Sequence, residues 1–130
     1  MCNDTTKTTV LNEFVEFCNL SRKYLLQAKD SLRVFKDEVA LDLEGYNIPQ
    51  ESKAVTMAKF EQRLEDIITN TIEKSIAAID NIEDQLCAFY HADSTENFVK
   101  KVLLSKDLIT QICITTPHAS EDFPSLRDIA

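Results

Sequence analysis

From about Glu51 to His91, apolar side chains return at steps of three and four. They are Met57, Phe60, Leu64, Ile68, Ile72, Ile79, Ile82, Leu86 and Phe89, with Ser75 on the same line. That period belongs to an α-helix with one apolar stripe, and from Ile68 to Phe89 fours and threes alternate strictly. No glycine or proline interrupts the run. A chain built around such a stretch is all-α and made to pack against other helices.

The remaining elements follow from punctuation. Residues 1–8 are polar and threonine-rich and are expected to be disordered. A first helix over about residues 9–44 starts at Thr8 or Thr9, either of which can cap it. Within it Leu11, Phe14, Cys18, Ser21, Leu25, Ala28, Leu32, Phe35 and Val39 keep the alternating spacing, and Val15, Phe17, Tyr24, Leu26 and Val34 lie beside or away from that line. The apolar face is therefore wider than a two-stranded coiled-coil seam. Gly45 and Pro49 end this helix, glycine suiting the left-handed position past a helix end and proline blocking continuation. So short a connection returns the second helix, about 51–91, antiparallel to the first. Arms of about 50–60 Å predict an elongated antiparallel hairpin, coiled-coil-like. Asp93 or Ser94 caps a third helix over about 95–115, with Phe98, Val99, Val102, Leu103, Ile109, Ile112 and Cys113 inward and Lys100, Lys101 and Lys106 wet. One helical-bundle domain of residues 9–116 results, followed by an extended segment, 117–130, that carries Phe123, Pro124, Leu126 and Ile129.

Charge narrows the partners. The chain has 22 acidic against 14 basic side chains, a net charge of −8, and no third of it is basic. Direct binding to a phosphate backbone is disfavoured. A single glycine disfavours phosphate-cradling loops. Cys2, Cys18, Cys87 and Cys113 form no C-x-x-C pair, and no apolar run approaches the roughly 18 residues that span a bilayer. The expectation is an intracellular protein with reduced thiols and no membrane span.

Catalytic and metal patterns are missing. Ala88 and Thr115 stand three residues before His91 and His118, so the Glu-x-x-His pair of a di-metal carboxylate bundle is absent. His-Glu-x-x-His and zinc-type cysteine spacing are absent too. Cys18 falls on an apolar stripe, with Cys87 and Cys113 next to one, where thiols act as small hydrophobes. A small helical enzyme would need a polar cluster inside the bundle, and the stripes offer only Ser21, Thr71 and Ser75. Neither catalysis nor a cofactor is expected.

The stripe itself is the best candidate site. Three helices have too little surface to cover so broad an apolar face, which predicts a hetero- or homo-oligomer with other helical chains through Phe17, Leu26, Val34, Ile68, Ile72, Ile79, Ile82 and Leu86. A second candidate is the acidic strip of the second helix, Glu61, Glu65, Asp66, Glu73, Asp80, Glu83 and Asp84, which would steer a basic partner towards the hairpin. The reading is a non-catalytic assembly subunit. A membrane-traffic tether or regulator is the alternative, and would need a basic or lipidated element.

Lys59-Phe60 through Ile82, followed by Asn97-Phe98-Val99 and Leu103-Leu104-Ser105-Lys106-Asp107-Leu108-Ile109, resembles the polyamine-modulated-factor family. Its members are a subunit of the four-protein MIND complex at kinetochores. There, a Lys-Phe-led helix with spaced isoleucines and glutamates precedes a leucine-rich segment and a proline-containing stretch, here Pro117 to Leu126. The family's tryptophan in that stretch is missing, and the first helix has no counterpart. The resemblance implies a nuclear head portion that pairs with a sister subunit and helps dock the complex onto an inner-centromere protein, with the acidic strip as docking face.

Overall fold

The computed structural model describes residues 2–115, and these are all-α with no strand among them. The elements are α1 (Cys2–Glu44), α2 (Gln50–Ile67), a π-helical segment (Ile68–Glu73), α3 (Lys74–Ala92) and α4 (Thr95–Thr115). The segment 117–130 lies outside the described residues.

Helix α1 starts earlier than the sequence suggests. Residues 5–8 are helical because they have partners, not because their propensity is high. Lys7 Nζ donates to the Asp93 backbone oxygen at 2.5 Å and lies 5.2 Å and 5.8 Å from the ring centroids of Tyr90 and Phe98. The Thr8 hydroxyl shares a 2.7 Å hydrogen bond with that of Tyr90. Thr9 does not cap the helix; its hydroxyl donates back to the Thr5 carbonyl within it. At the other end α1 tightens into three-residue bonds, Gly45 N–H to Asp42 O and Tyr46 N–H to Leu43 O, both 3.1 Å. No described residue has positive φ, so Gly45 does not take the left-handed position.

Pro49 holds an extended φ,ψ of −56°, 144° and opens α2, its carbonyl accepting from Lys53 N–H. Ser94, rather than Asp93, caps α4: its hydroxyl oxygen accepts from the Asn97 N–H at 3.3 Å. Asp93 is instead held 2.6 Å from Lys101 Nζ.

The second stretch was expected as one α-helix, yet it widens into a π turn at Ile68–Glu73. The spacing of its buried residues gives the reason. Phe60, Leu64, Ile68 and Ile72 are buried and stand four apart each time. In an α-helix a four-residue step overshoots a full turn by roughly 40°, so three steps would carry the line about 120° around the axis. The wider π turn, which spans the last of these steps, offsets part of the drift and keeps Ile72 inward. After it the buried positions Ile79 and Leu86 follow seven apart, the ordinary spacing for a helix that packs along its length.

The expected single domain is two compact units, with boundaries inside α1 and at the end of the π segment. Unit 1 comprises α1 up to Leu25 together with α3 and α4. Its core is Phe14, Cys18, Leu25, Ile79, Leu86, Phe98, Val102 and Ile109. Helix α3 runs antiparallel to α1, since Lys7 meets Asp93 whereas Arg22 meets Asp80. Lys106 lies over Phe17 and Lys7 over Phe98, so α4 runs parallel to α1. Unit 2, over residues 26–73, is an antiparallel hairpin of the rest of α1 against α2 and the π segment. Ala28, Leu32, Val39, Leu43, Phe60, Leu64, Ile68 and Ile72 are buried in it. The Phe35 and Phe60 rings meet at 5.8 Å, and Lys29 pairs with Glu73.

Candidate docking surfaces

Four residues expected to be a partner's contacts belong to the chain's own core. Ile68, Ile72, Ile79 and Leu86 are buried, because each unit closes over the inner line of the stripe. That corrects the sequence reading. Phe17 and Ile82 are half-buried, and Leu26 and Val34 are exposed.

Much of the acidic strip is likewise matched internally. Arg22 Nη1 lies 2.8 Å from Asp80, and its Nη2 lies 3.1 Å from Glu83 and 2.7 Å from Asn19. Burial pulls the Arg22 pKa down, but the hydrogen bonds and charges of Glu83 and Asp80 outweigh it and the net shift is upward. Glu73 pairs with Lys29 at 3.2 Å, and Asp66 accepts from Gln62. Glu61 and Glu65 share a groove with Arg33 and Lys36. Asp84 is exposed. The two cations paired with the strip, Arg22 and Lys29, come from α1 within the same unit as their partners.

Apolar surface that stays open lies elsewhere, most of all on α4. Phe98, Val102 and Ile109 face the core of unit 1, while Leu103, Leu104, Leu108 and Ile114 are 58%, 65%, 57% and 66% exposed. Leu103 was expected inside. Adjacent residues point about 100° apart on a helix, so Val102 and Leu103 are drawn to different sides, and Val102 takes the core. Around this helix apolar residues occur on every side, a pattern of helices covered on every side.

Two grooves flank α4 within unit 1. One, of about 380 Å³, is lined by Phe17, Leu20, Ser21 and Tyr24 of α1 and Thr110, Cys113 and Ile114 of α4. None of these side chains carries a charge. The other, of about 210 Å³, lies between α3 and α4 and includes Ile82, Phe89 and Leu104. Lys101 and Lys106 are half-buried rather than wet, because they cover aromatic rings: Lys101 Nζ is 3.7 Å from the Phe89 centroid and Lys106 Nζ is 5.6 Å from that of Phe17. Their stems form part of the apolar surface at the groove edges.

Cys18, Cys87 and Cys113 are poor nucleophiles. Burial first, then the Glu83 charge, pushes the Cys18 pKa up to about 12. Those of Cys87 and Cys113 are also raised, burial being the larger cause in each. A thiol of this kind stays protonated at neutral pH, and the thiolate is the reactive form. Ser21 donates to the Phe17 carbonyl at 2.9 Å, and its hydroxyl also meets the Cys113 thiol of α4. No group of residues suited to holding a metal ion occurs among the described residues, and none of their helices is long and apolar enough to cross a membrane. Comparison with models of protein families, with curated proteins and with solved structures gave no match to this chain.

Proposed function

We propose that the chain is a non-catalytic helical subunit that binds another helical chain across α4. The observation that carries this is the set of four aliphatic side chains on α4, each more than half exposed, of which Ile114 lines the uncharged groove against α1 and Leu104 the groove against α3. Burying what remains open of each would contribute on the order of 1–2 kcal/mol. Association costs roughly 4–15 kcal/mol in lost freedom, so these four alone give a weak complex at most. A stable one must also cover Leu20, Tyr24 and Phe89, all exposed in unit 1. A partner helix laid in the groove against α1 would cover Leu20 and Tyr24, and one in the groove against α3 would cover Phe89, as an amphipathic helix does in an apolar groove.

The sharper form of the proposal takes up the resemblance to the polyamine-modulated-factor family. It makes the chain a nuclear kinetochore subunit that pairs with a sister subunit and contacts an inner-centromere protein rather than nucleic acid. Support for that form comes from the Lys59-Phe60 helix and the leucine-rich segment of α4 alone.

The test is affinity purification of the tagged chain from its native cell, with identification of what comes with it. The wild type is expected to bring down a helical protein in near-equal amount. Leu104→Glu/Leu108→Glu, both at exposed positions, is expected to lose that partner while keeping its helical circular-dichroism signal. A chain that stays alone under mild extraction, or a partner that the double variant retains in full, sinks the proposal. Kinetochore proteins among those recovered would support the sharper form, and a partner set without any would remove it.

A further inference from the structure

The second half of α1 carries another surface with a different chemistry, entirely within unit 2. Val34 is 57% and Leu41 69% exposed. They stand seven residues apart, which sets them on one side of the helix two turns from each other. Beside Val34 a groove of about 310 Å³ is lined by Asp30, Ser31, Val34, Phe35 and Glu38.

The neighbours of these two residues on the helix surface are those three and four positions away. For Val34 they are Asp30, Ser31, Asp37 and Glu38; for Leu41 they are Asp37, Glu38, Glu44 and Gly45. All are exposed, four are acidic and none is basic. The cations of this stretch are drawn to the opposite flank. Lys29 pairs with Glu73, while Arg33 and Lys36 join Glu61 and Glu65 in the groove against α2. The outer face therefore keeps its negative charge around two open aliphatic side chains.

We infer that this face docks a basic amphipathic helix of another protein, one that offers an apolar pair two turns apart with lysine or arginine on either side. The acidic rim supplies encounter and orientation, and Val34 and Leu41 supply the dry contact. A second copy of the chain is a poor occupant, because two-fold docking sets this acidic rim against itself. Nucleic acid and anionic membrane are repelled by the same charge. The inference rests on the proposal that the chain is a binding subunit, at a surface separate from α4.

The test uses the full chain and a labelled synthetic helical peptide with leucines seven apart flanked by lysines. A second peptide has glutamate at each lysine position. Fluorescence anisotropy is expected to show saturable binding of the lysine peptide alone. That binding should weaken several-fold between about 50 and 150 mM salt as the rim charges are screened. Val34→Ser/Leu41→Ser should weaken it about tenfold or more. Asp37→Lys/Glu38→Lys should abolish it and admit the glutamate peptide instead. All four positions are exposed, and circular dichroism checks that the variants stay helical. No saturable binding by the wild type overturns the inference. So does binding that survives Val34→Ser/Leu41→Ser, since attraction by the net negative chain would then suffice. The control is Leu104→Glu/Leu108→Glu, which should leave peptide binding intact. Loss of the peptide in that variant overturns the assignment to α1. Failure of peptide binding leaves partner capture through α4 standing, so the two readings fail separately.

Discussion

Unit 1 and unit 2 both leave aliphatic side chains in water, but in different company. On α4 the open residues Leu103, Leu104, Leu108 and Ile114 stand among side chains of both charges: Lys101 and Lys106 lie over aromatic rings, Lys100 pairs with Glu96, and Asp107 is exposed. On the second half of α1, Val34 and Leu41 stand among four carboxylates, while Lys29 pairs with Glu73, Arg33 and Lys36 line the groove against α2 and Lys53 donates to the Glu44 carbonyl. An exposed apolar patch says that something is meant to cover it. What surrounds the patch says what kind of thing. A rim that carries both signs, as Lys100 and Asp107 do on α4, sets weaker charge conditions, whereas an acidic one selects by charge and makes the encounter depend on salt. Surplus hydrophobicity by itself would have assigned both surfaces the same partner.

The largest effect that can break this division of the molecule concerns the register of the second helical stretch. In unit 2 the π segment holds one residue more than a regular helix would need between Leu64 and the buried positions that follow. Deleting the exposed Asn70 should therefore return the segment to an α-helix and keep Ile72, seven positions after Leu64 in the shortened chain, facing the core of unit 2. Deleting the exposed Asn81 in unit 1 has no such slack to take up. It rotates Leu86 by about 100° relative to Ile79 and should cost about 3–5 kcal/mol, as loss of a large buried side chain does. Chemical denaturation of the two deletions compares them directly. Equal damage from both would mean that the wide turn does not absorb an extra residue.

That turn also shows how much was legible in advance. The fold class and the inner face of α1 were plain, because Phe14, Cys18, Leu25, Ala28, Leu32 and Val39 keep one helical period and all are buried. The run of fours from Phe60 to Ile72 was equally visible, and it carried the π turn for anyone who let the drift accumulate. The site was read less well. Periodicity identifies which side of a helix is buried but not which chain buries it, so Ile68, Ile72, Ile79 and Leu86 were given to a partner. The adjacent leucines 103 and 104 held the better signal, since two neighbours on a helix cannot both face one core. Neither the pairing of Arg22 with Asp80 and Glu83 nor the docking of Lys7 on Tyr90 has any local signature, as each joins residues far apart in sequence. The division into two units, with a boundary inside an unbroken helix, has none either.

An intermediate effect sharpens the contrast from the side of unit 1, through its buried thiol. Cys18 holds its proton up to about pH 12 when folded, whereas an unfolded thiol loses it near 8.5. Between those values the unfolded chain binds fewer protons than the native one, so stability falls as pH rises, by up to about 1.4 kcal/mol per pH unit. Cys18→Ala should remove that part of the slope. Urea midpoints for the two proteins at pH 8 and pH 10 give the comparison. Parallel falls in both would show that the thiol is not held protonated by burial in the core of unit 1.

The smallest expected effect on folding carries the most weight for function. Leu104→Ser in unit 1 and Val34→Ser in unit 2 each remove an aliphatic side chain that is more than half exposed. Surface substitutions of this kind usually change stability by less than about 0.5 kcal/mol. If these residues were structural, their loss would register near the cost of a buried aliphatic, about 2–5 kcal/mol, and thermal melts would separate the two cases. Unchanged melts combined with lost binding mean that the side chains are kept for a partner rather than for the fold. The two sites should then part company in salt: the complex through Val34 weakens as ionic strength rises, while the one through Leu104 holds or tightens slightly, since excluded salts strengthen apolar burial. A common salt response would erase the distinction between a surface of mixed charge and an acidic, charge-selective one.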